Sequence, residues 1–324
     1  MEVMQNFNLL KPTTLEEAIA FAAEQDGARF LAGGTDLIVN LRRGIGEASA
    51  LIDLSGIAEM KQITVDDSGA RIGAGVTLAE LARHEGMAEA YNVVTQAARE
   101  IAGPTHQRFA TVGGNLCLDT RCIYYNQSHW WRQSNDFCLK YKGDICHVAP
   151  KSKRCFAAFS GDLAPAMLLF DAQVDLIGPE GKRTIALNEL YQDDGAAHLT
   201  LTPGEFVVSV KIPNQSFQHM IYEKVRVRES IDFPLAGAAV ALDRDGDRLT
   251  RLAIAFTGIN CRPVKIVGLE DFCGKSFDED VFEKILRLTN KQIKPMKSTS
   301  IPSTYRRAVG PKLAIAAIKK LWQS

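Results

Sequence analysis

Four cysteines, Cys122, Cys138, Cys146 and Cys155, fall within one aromatic and basic stretch, TRCIYYNQSHWWRQSNDFCLKYKGDICHVAPKSKRCF. Thiolates ligate soft metals, and four of them complete a structural zinc site or, one per iron, a cubane [4Fe-4S] cluster. The gaps, C-x15-C-x7-C-x8-C, match no compact signature, so spacing alone does not choose between the two. The absence of a close C-x2-4-C pair counts against zinc. Cys117 flanks a glycine-rich segment and is set aside, and Cys261 and Cys273 read as ordinary thiols. His106, His129 and His147 read as surface or hydrogen-bonded groups. Tyr124, Tyr125, Trp130, Trp131, Phe137 and Tyr141 would give the loop a small core that a metal could staple; the plain alternative is a surface lobe. From Arg121 to Cys155 seven basic residues (Arg121, Arg132, Lys140, Lys142, Lys151, Lys153, Arg154) face two acidic ones (Asp136, Asp144), an excess of five. Such an excess would steer an acidic redox partner.

Two glycine segments bracket this region on its N-terminal side. In ARFLAGGTDLIV, Gly33-Gly34-Thr35-Asp36 follows a short apolar run and precedes a helical one. Glycines let backbone N–H groups approach a phosphate, and a helix N-terminus adds partial positive charge; the bland reading is a tight strand-to-helix turn. Thr111-Val112-Gly113-Gly114-Asn115 is a second such loop. RIGAGVTLAEL imitates a dinucleotide fingerprint, but Leu78 stands where the third glycine or alanine belongs, so Gly73 and Gly75 read as turn residues. Aromatic and basic mixtures also suit nucleic acid, a reading that the glycine loops disfavour.

The elements that must position these groups are legible in part. Thr14-x-x-Glu17 and Thr77-x-x-Glu80 predict capped helices. Arg29 to Ala32 predicts a strand, Thr35 opens a helix, and LIDLSGI (51–57) reads as a strand parallel to the first. MKQITVDDSGARIGAG predicts a hairpin about Asp66 to Gly69. Met87 to Ile101 predicts one helix ended by Gly103-Pro104. A helical turn is expected at 162–169, strands in EFVVSVKIP and MIYEKVRVRE, and a C-terminal alternation of strands with helices over 278–288 and 311–322. The fold class is α+β, with domains at 1–215, interrupted by an insertion at 120–159, and at 216–324.

Composition sets outer limits. The chain has 324 residues, 46% of them hydrophobic, with 38 basic and 38 acidic side chains and no net charge. Nothing global favours nucleic acid or an anionic membrane. No apolar run approaches a membrane span and the N-terminus lacks a signal-peptide layout, so the expected compartment is the cytoplasm. Seven cysteines in a reducing compartment argue for ligands or free thiols rather than disulfides.

At GGT…TVGGN the chain resembles the FAD-binding subunits of the molybdenum hydroxylase (xanthine oxidase) family, and the similarity runs through SGDLAPAMLLFDAQV and EFVVSVKIP…YEKVRVRE. The resemblance implies a two-subdomain FAD module of the vanillyl-alcohol oxidase type with a C-terminal α+β domain. By the same resemblance Arg29, Phe30, Leu31, Ala32, Gly33, Gly34, Thr35 and Asp36 line the first pyrophosphate loop, and Thr111, Gly114 and Asn115 the second. Ile101 and Ala102 lie near the adenosine or flavin, Asp162 supplies a pocket carboxylate, and Val207 and Lys224 flank the isoalloxazine ring. No catalytic residue is expected on this chain. The insertion departs from most relatives and is similar to that of 4-hydroxybenzoyl-CoA reductase β subunits, which implies a [4Fe-4S] cluster on Cys122, Cys138, Cys146 and Cys155. Implied partners are a molybdenum-cofactor subunit and a [2Fe-2S] subunit, as a dimer of heterotrimers, with ferredoxin as electron donor. The alternative is an oxidative hydroxylase subunit passing electrons to NAD or another acceptor.

Overall fold

The computed structural model describes residues 6–324, built on three sheets. The first is small and parallel. Strand β1 (Asn8–Leu10) leads to helix α1 (Leu15–Glu24), β2 (Arg29–Leu31) to α2 (Leu37–Arg42), and β3 (Ala50–Asp53) lies between the other two strands. Thr14 caps α1 by accepting the Glu17 N–H at 3.1 Å, while the Glu17 carboxylate takes the Thr13 N–H instead of closing the box on Thr14. Asp36, rather than Thr35, is the N-cap of α2. The strand expected to reach Ile57 stops at Asp53, whose carboxylate accepts the Ser55 N–H at 3.0 Å and turns the chain into a 3₁₀ turn.

The second sheet is antiparallel. The predicted hairpin forms β4 (Ile63–Asp66) and β5 (Gly69–Gly73). Helix α3 (Leu78–Arg83) carries the full Thr77–Glu80 capping box. Instead of one helix to Ile101 there are two, α4 (Glu85–Ala90) and α5 (Asn92–Arg99). They break at Tyr91, where φ −137° and ψ 51° leave the helical region while its buried phenol reaches the Pro213 carbonyl at 3.2 Å. Tertiary packing of one side chain thus overrides a continuous helical pattern. Gly103-Pro104 is less a stop than a start, because Pro104 opens α6 (Pro104–Gln107), where its missing N–H costs nothing. Next come α7 (Val112–Leu116), α8 (His129–Ser134) inside the insertion and α9 (Leu163–Leu168). Strands β6 (Gln173–Gly178), β7 (Gly181–Ala186) and β8 (Phe206–Pro213) complete the sheet in the order β4-β5-β8-β6-β7.

The third sheet joins β9 (His219–Val225), β10 (Ala236–Asp245), β11 (Arg248–Thr257) and β12 (Val264–Lys265), with α11 (Ser303–Gln323) packed on it and α10 (Glu279–Gln292) against α11. Helix α11 starts eight residues before the expected Pro311 and runs through it. Gly310, Pro311, Ala314 and Ala317 are all buried, so apolar packing on both sides of the proline offsets the lost helical hydrogen bond.

The insertion is clasped at its neck: Arg121 and Ala158 exchange backbone hydrogen bonds of 2.7 and 2.8 Å. Arg132, only 1% exposed, pins α8 to the chain after α2 by donating to the carbonyls of Gly44 (2.8 Å) and Arg43 (3.1 Å). Among the described residues no helix is long and apolar enough to cross a membrane.

Candidate functional site: a cleft and a cysteine cavity

The β2–α2 loop and the turn entering α7 meet back to back. A Cβ at Gly33 would stand 1.7 Å from the Phe109 carbonyl oxygen, and Gly34 has φ +71°. Only glycine permits that crossing. The Thr111 hydroxyl accepts the Gly114 N–H at 3.1 Å, so TVGGN is the capped first turn of α7 and not an open loop. The Asn115 carboxamide oxygen then accepts the Leu163 N–H at 3.1 Å and fixes α9, with Asp162 at its head. These segments wall a cleft of about 2660 Å³, counted to its open mouth.

Of the residues assigned to FAD, all but Leu31 and Lys224 line this cleft. Leu31 alternates away from Phe30 along β2 and packs beside Leu41, Ala48 and Leu51. Lys224 stands behind Asp162, its ammonium 3.0 Å from the carboxylate and 3.0 Å from the Glu100 carbonyl, and reaches the cleft only through Asp162. Tyr222 donates to the same carboxylate at 2.6 Å. Burial raises the Asp162 pKa, opposed by the Lys224 charge and the Tyr222 bond.

Several lining residues were not singled out from sequence. Ala74, Gly75, Thr77 and Leu78 belong to the segment read as a turn running into a capped helix, without a role in the cleft; the Gly113 N–H donates to the Ala74 carbonyl at 2.8 Å, which draws that turn against α7. No local pattern announces such a pairing. Arg121 and Tyr125 reach in from the insertion. Arg121 pairs with Asp36, its guanidinium lies 4.5 Å from the Phe233 ring centre, burial lowers its pKa to about 10, and its buried Nε has no hydrogen-bond partner. Such an orphaned donor suits a polar ligand in the cleft. Phe109 and Phe233 stay 65% and 45% exposed at the rim, apolar surface that a bound ligand would cover.

The four cysteines converge. Cys122, Cys138, Cys146 and Cys155 are all buried and line one small cavity, with Tyr124, Tyr125 and His147 among its walls. Cys146 and Cys155 act on each other, which lowers the Cys146 pKa and raises that of Cys155; burial raises Cys122 to about 11. The cysteines are free. Among the described residues no three His, Cys, Asp or Glu side chains gather closely enough to hold a single metal ion. Cys117 lines the cleft instead, and Cys261 donates from its thiol to the Cys155 carbonyl at 3.3 Å. The His147 Nε2 is taken up by the Phe137 carbonyl at 2.5 Å.

The basic excess does not form a basic surface. Arg132 is buried on backbone carbonyls, Arg121 pairs with Asp36 and Lys140 with Asp119 at 2.7 Å. Lys142 pairs with Glu47 at 2.7 Å and Arg154 with Asp193. All these acids lie outside 121–155. Lys151 and Lys153 remain exposed, and so do Asp136 and Asp144. Electrostatic steering to this lobe therefore loses its basis, and its most exposed large apolar side chain is Trp130, at 78%.

A mixed α and β architecture in which two glycine turns and a buried aspartate border a long cleft defines a flavin-binding module with an appended sheet-and-helix domain. Residues 5–215 match the FAD binding domain in molybdopterin dehydrogenase, and residues 221–321 the CO dehydrogenase flavoprotein C-terminal domain. The chain belongs to this family of FAD-binding molybdenum hydroxylase subunits. It is 35% identical over 272 residues to the aldehyde oxidoreductase FAD-binding subunit PaoB of Escherichia coli, covering 81% of this chain and 84% of that one. It is 24% identical over 319 residues to the carbon monoxide dehydrogenase medium chain of Afipia carboxidovorans, covering 97% and 96%. Its fold is that of the corresponding chain in crystals of the Cu,Mo-CO dehydrogenase, with TM-score 0.81, 22% identity and 98% of each chain covered.

Proposed function

We propose that this chain is an electron-transferring subunit that holds FAD in the cleft and a [4Fe-4S] cluster at Cys122, Cys138, Cys146 and Cys155. The observation that carries the cluster is the convergence of four buried thiols on one cavity. In a cubane each thiolate binds a different iron, so the sulfurs surround a volume rather than a point. Tyr124, Tyr125 and Val148 give that volume apolar walls.

The chain's own residues do the positioning. Thr111 caps the α7 turn that lines the cleft, Arg121 offers a buried donor, and Asp162 is held in place by Tyr222 and Lys224. When bound, the two groups would supply one-electron exchange at the cluster and two-electron exchange at the flavin.

The substrate transformation then belongs to partner subunits carrying [2Fe-2S] clusters and a molybdenum cofactor, in a hetero-oligomer. The reductive reading has ferredoxin feeding the cluster and the complex removing the phenolic hydroxyl of 4-hydroxybenzoyl-CoA, which with two electrons and two protons gives benzoyl-CoA and water. The cysteine insertion supports it; surface charge does not. The oxidative reading has electrons leaving an aldehyde and exiting through this chain, and the 35% identity to an aldehyde oxidoreductase FAD-binding subunit favours it.

The test is analysis of the anaerobically purified complex for flavin, iron and acid-labile sulfide, followed by assays with 4-hydroxybenzoyl-CoA plus reduced viologen and with aromatic aldehydes plus an artificial acceptor. Zinc without labile sulfide would remove the cluster; turnover of one substrate only would set the direction.

A further inference from the structure

The cysteine cavity and the cleft share a wall. Among the described residues Tyr125 alone lines both. It follows Cys122 by less than one helical turn, its N–H donating to the Cys122 carbonyl at 3.0 Å, and it is 6% exposed. On the cavity side it packs with Cys122, Cys138 and Cys155 in one apolar cluster. On the cleft side its phenol meets Asp119, with Arg29 and Arg121 close enough to act on it electrostatically. The Lys140 ammonium lies 4.4 Å from the ring centre and pairs with Asp119 at 2.7 Å. Lys140 lines the cavity and Asp119 the cleft, so an ion pair spans the same wall.

We infer that Tyr125 is the electron-transfer bridge between the two redox groups, a positioning residue whose packed ring carries the coupling between the cysteine site and the flavin cleft. The inference rests on the reading that the four cysteines hold a cluster. Electron tunnelling decays with distance and decays faster through gaps than through bonded, close-packed atoms. A single aromatic side chain touching both cavities is therefore a packed route between them. With both groups bound, each passage would move one electron past Tyr125 from a reduced cluster held by the four cysteines to a flavin held in the cleft, and two passages with two protons would make the fully reduced flavin.

The experiment uses the whole complex, reduced anaerobically with methyl viologen radical, the one-electron reductant. Cluster re-oxidation and flavin bleaching are followed by stopped flow, and iron, sulfide and flavin are counted per chain. Tyr125→Leu is expected to keep all three contents and to slow cluster-to-flavin transfer about tenfold, equivalent to about 1.4 kcal/mol of barrier. Tyr125→Phe, which keeps the ring, should restore the wild-type rate. Transfer at the wild-type rate in Tyr125→Leu overturns the inference. If the leucine variant sheds iron, Tyr125→Met, which refills the space without a ring, carries the same expectation and the same overturning result. A wild-type complex with no iron or sulfide defeats the cluster reading itself, and is told apart because it is seen before any variant is made.

Discussion

The Lys224 ammonium sits 3.0 Å from the Asp162 carboxylate with only 2% and 4% of the two side chains exposed, and the pair joins β9 of the third sheet to the head of α9. The family match that contains Asp162 ends at residue 215 and the one that contains Lys224 begins at residue 221. One ion pair thus crosses from one matched region to the other directly behind the cleft. Removing one partner of a buried pair strands the other, at about 3–5 kcal/mol. Lys224→Met should lower stability by that order and release flavin. The added change Asp162→Asn should recover part of the stability, since no charge is then left unpaired. Thermal unfolding and flavin content of the two variants read both effects.

Cys138→Ser is expected to remove iron, labile sulfide and any low-potential paramagnetic signal assigned to the cluster, while flavin stays bound, because Cys138 lines the cysteine cavity and not the cleft. Electron paramagnetic resonance on the reduced complex checks it. An unchanged signal would take Cys138 off the ligand set.

At Gly33 the crossing with Phe109 leaves no room for a methyl group. Gly33→Ala should cost about 1–3 kcal/mol of overpacking and weaken flavin binding by pushing the two turns apart. A flavin titration of the stripped variant measures the loss. Wild-type affinity would mean that the crossing relaxes without consequence.

His198 is buried, its Nε2–H donating to the Leu118 carbonyl at 3.0 Å, and burial with the neighbouring Lys140 charge lowers its pKa to about 4, with Asp119 opposing. The folded chain therefore binds this proton less readily than the unfolded one. Its share of stability is full above the unfolded value near 6.5 and is lost as pH falls from there toward 4, amounting to about 3 kcal/mol at most. His198→Gln should flatten the pH dependence of unfolding in that window. Denaturant midpoints measured across it supply the test.

Much of the frame was legible because short-range rules govern it. The Thr77–Glu80 box, the hairpin at Asp66 to Gly69 and the parallel strands flanking the first glycine turn follow from local chemistry, and they appear as expected. The four clustered cysteines were legible for the same reason, since their residue type alone marks them. What escaped were facts made by distant partners. Tyr91 breaks a helix to reach Pro213, and Ala74 becomes a cleft residue because α7 docks on it. The basic lobe lost its surface charge to Asp36, Glu47, Asp119 and Asp193, acids that no local window around the cysteines includes together. Counting charges along the chain gives a total but not an address.

The neck at Arg121 and Ala158 carries one further consequence. Arg121 holds Asp36 of the first glycine turn, its chain neighbour Cys122 faces the thiol cavity, and Arg132 fastens the lobe to Gly44 beyond α2. The lobe is rooted in the cleft wall rather than hung from it. Air damage at the thiols would accordingly strip iron and sulfide first, while the neck, held by its own backbone pair and by Arg121 and Arg132, keeps the cleft wall and its yellow colour in place.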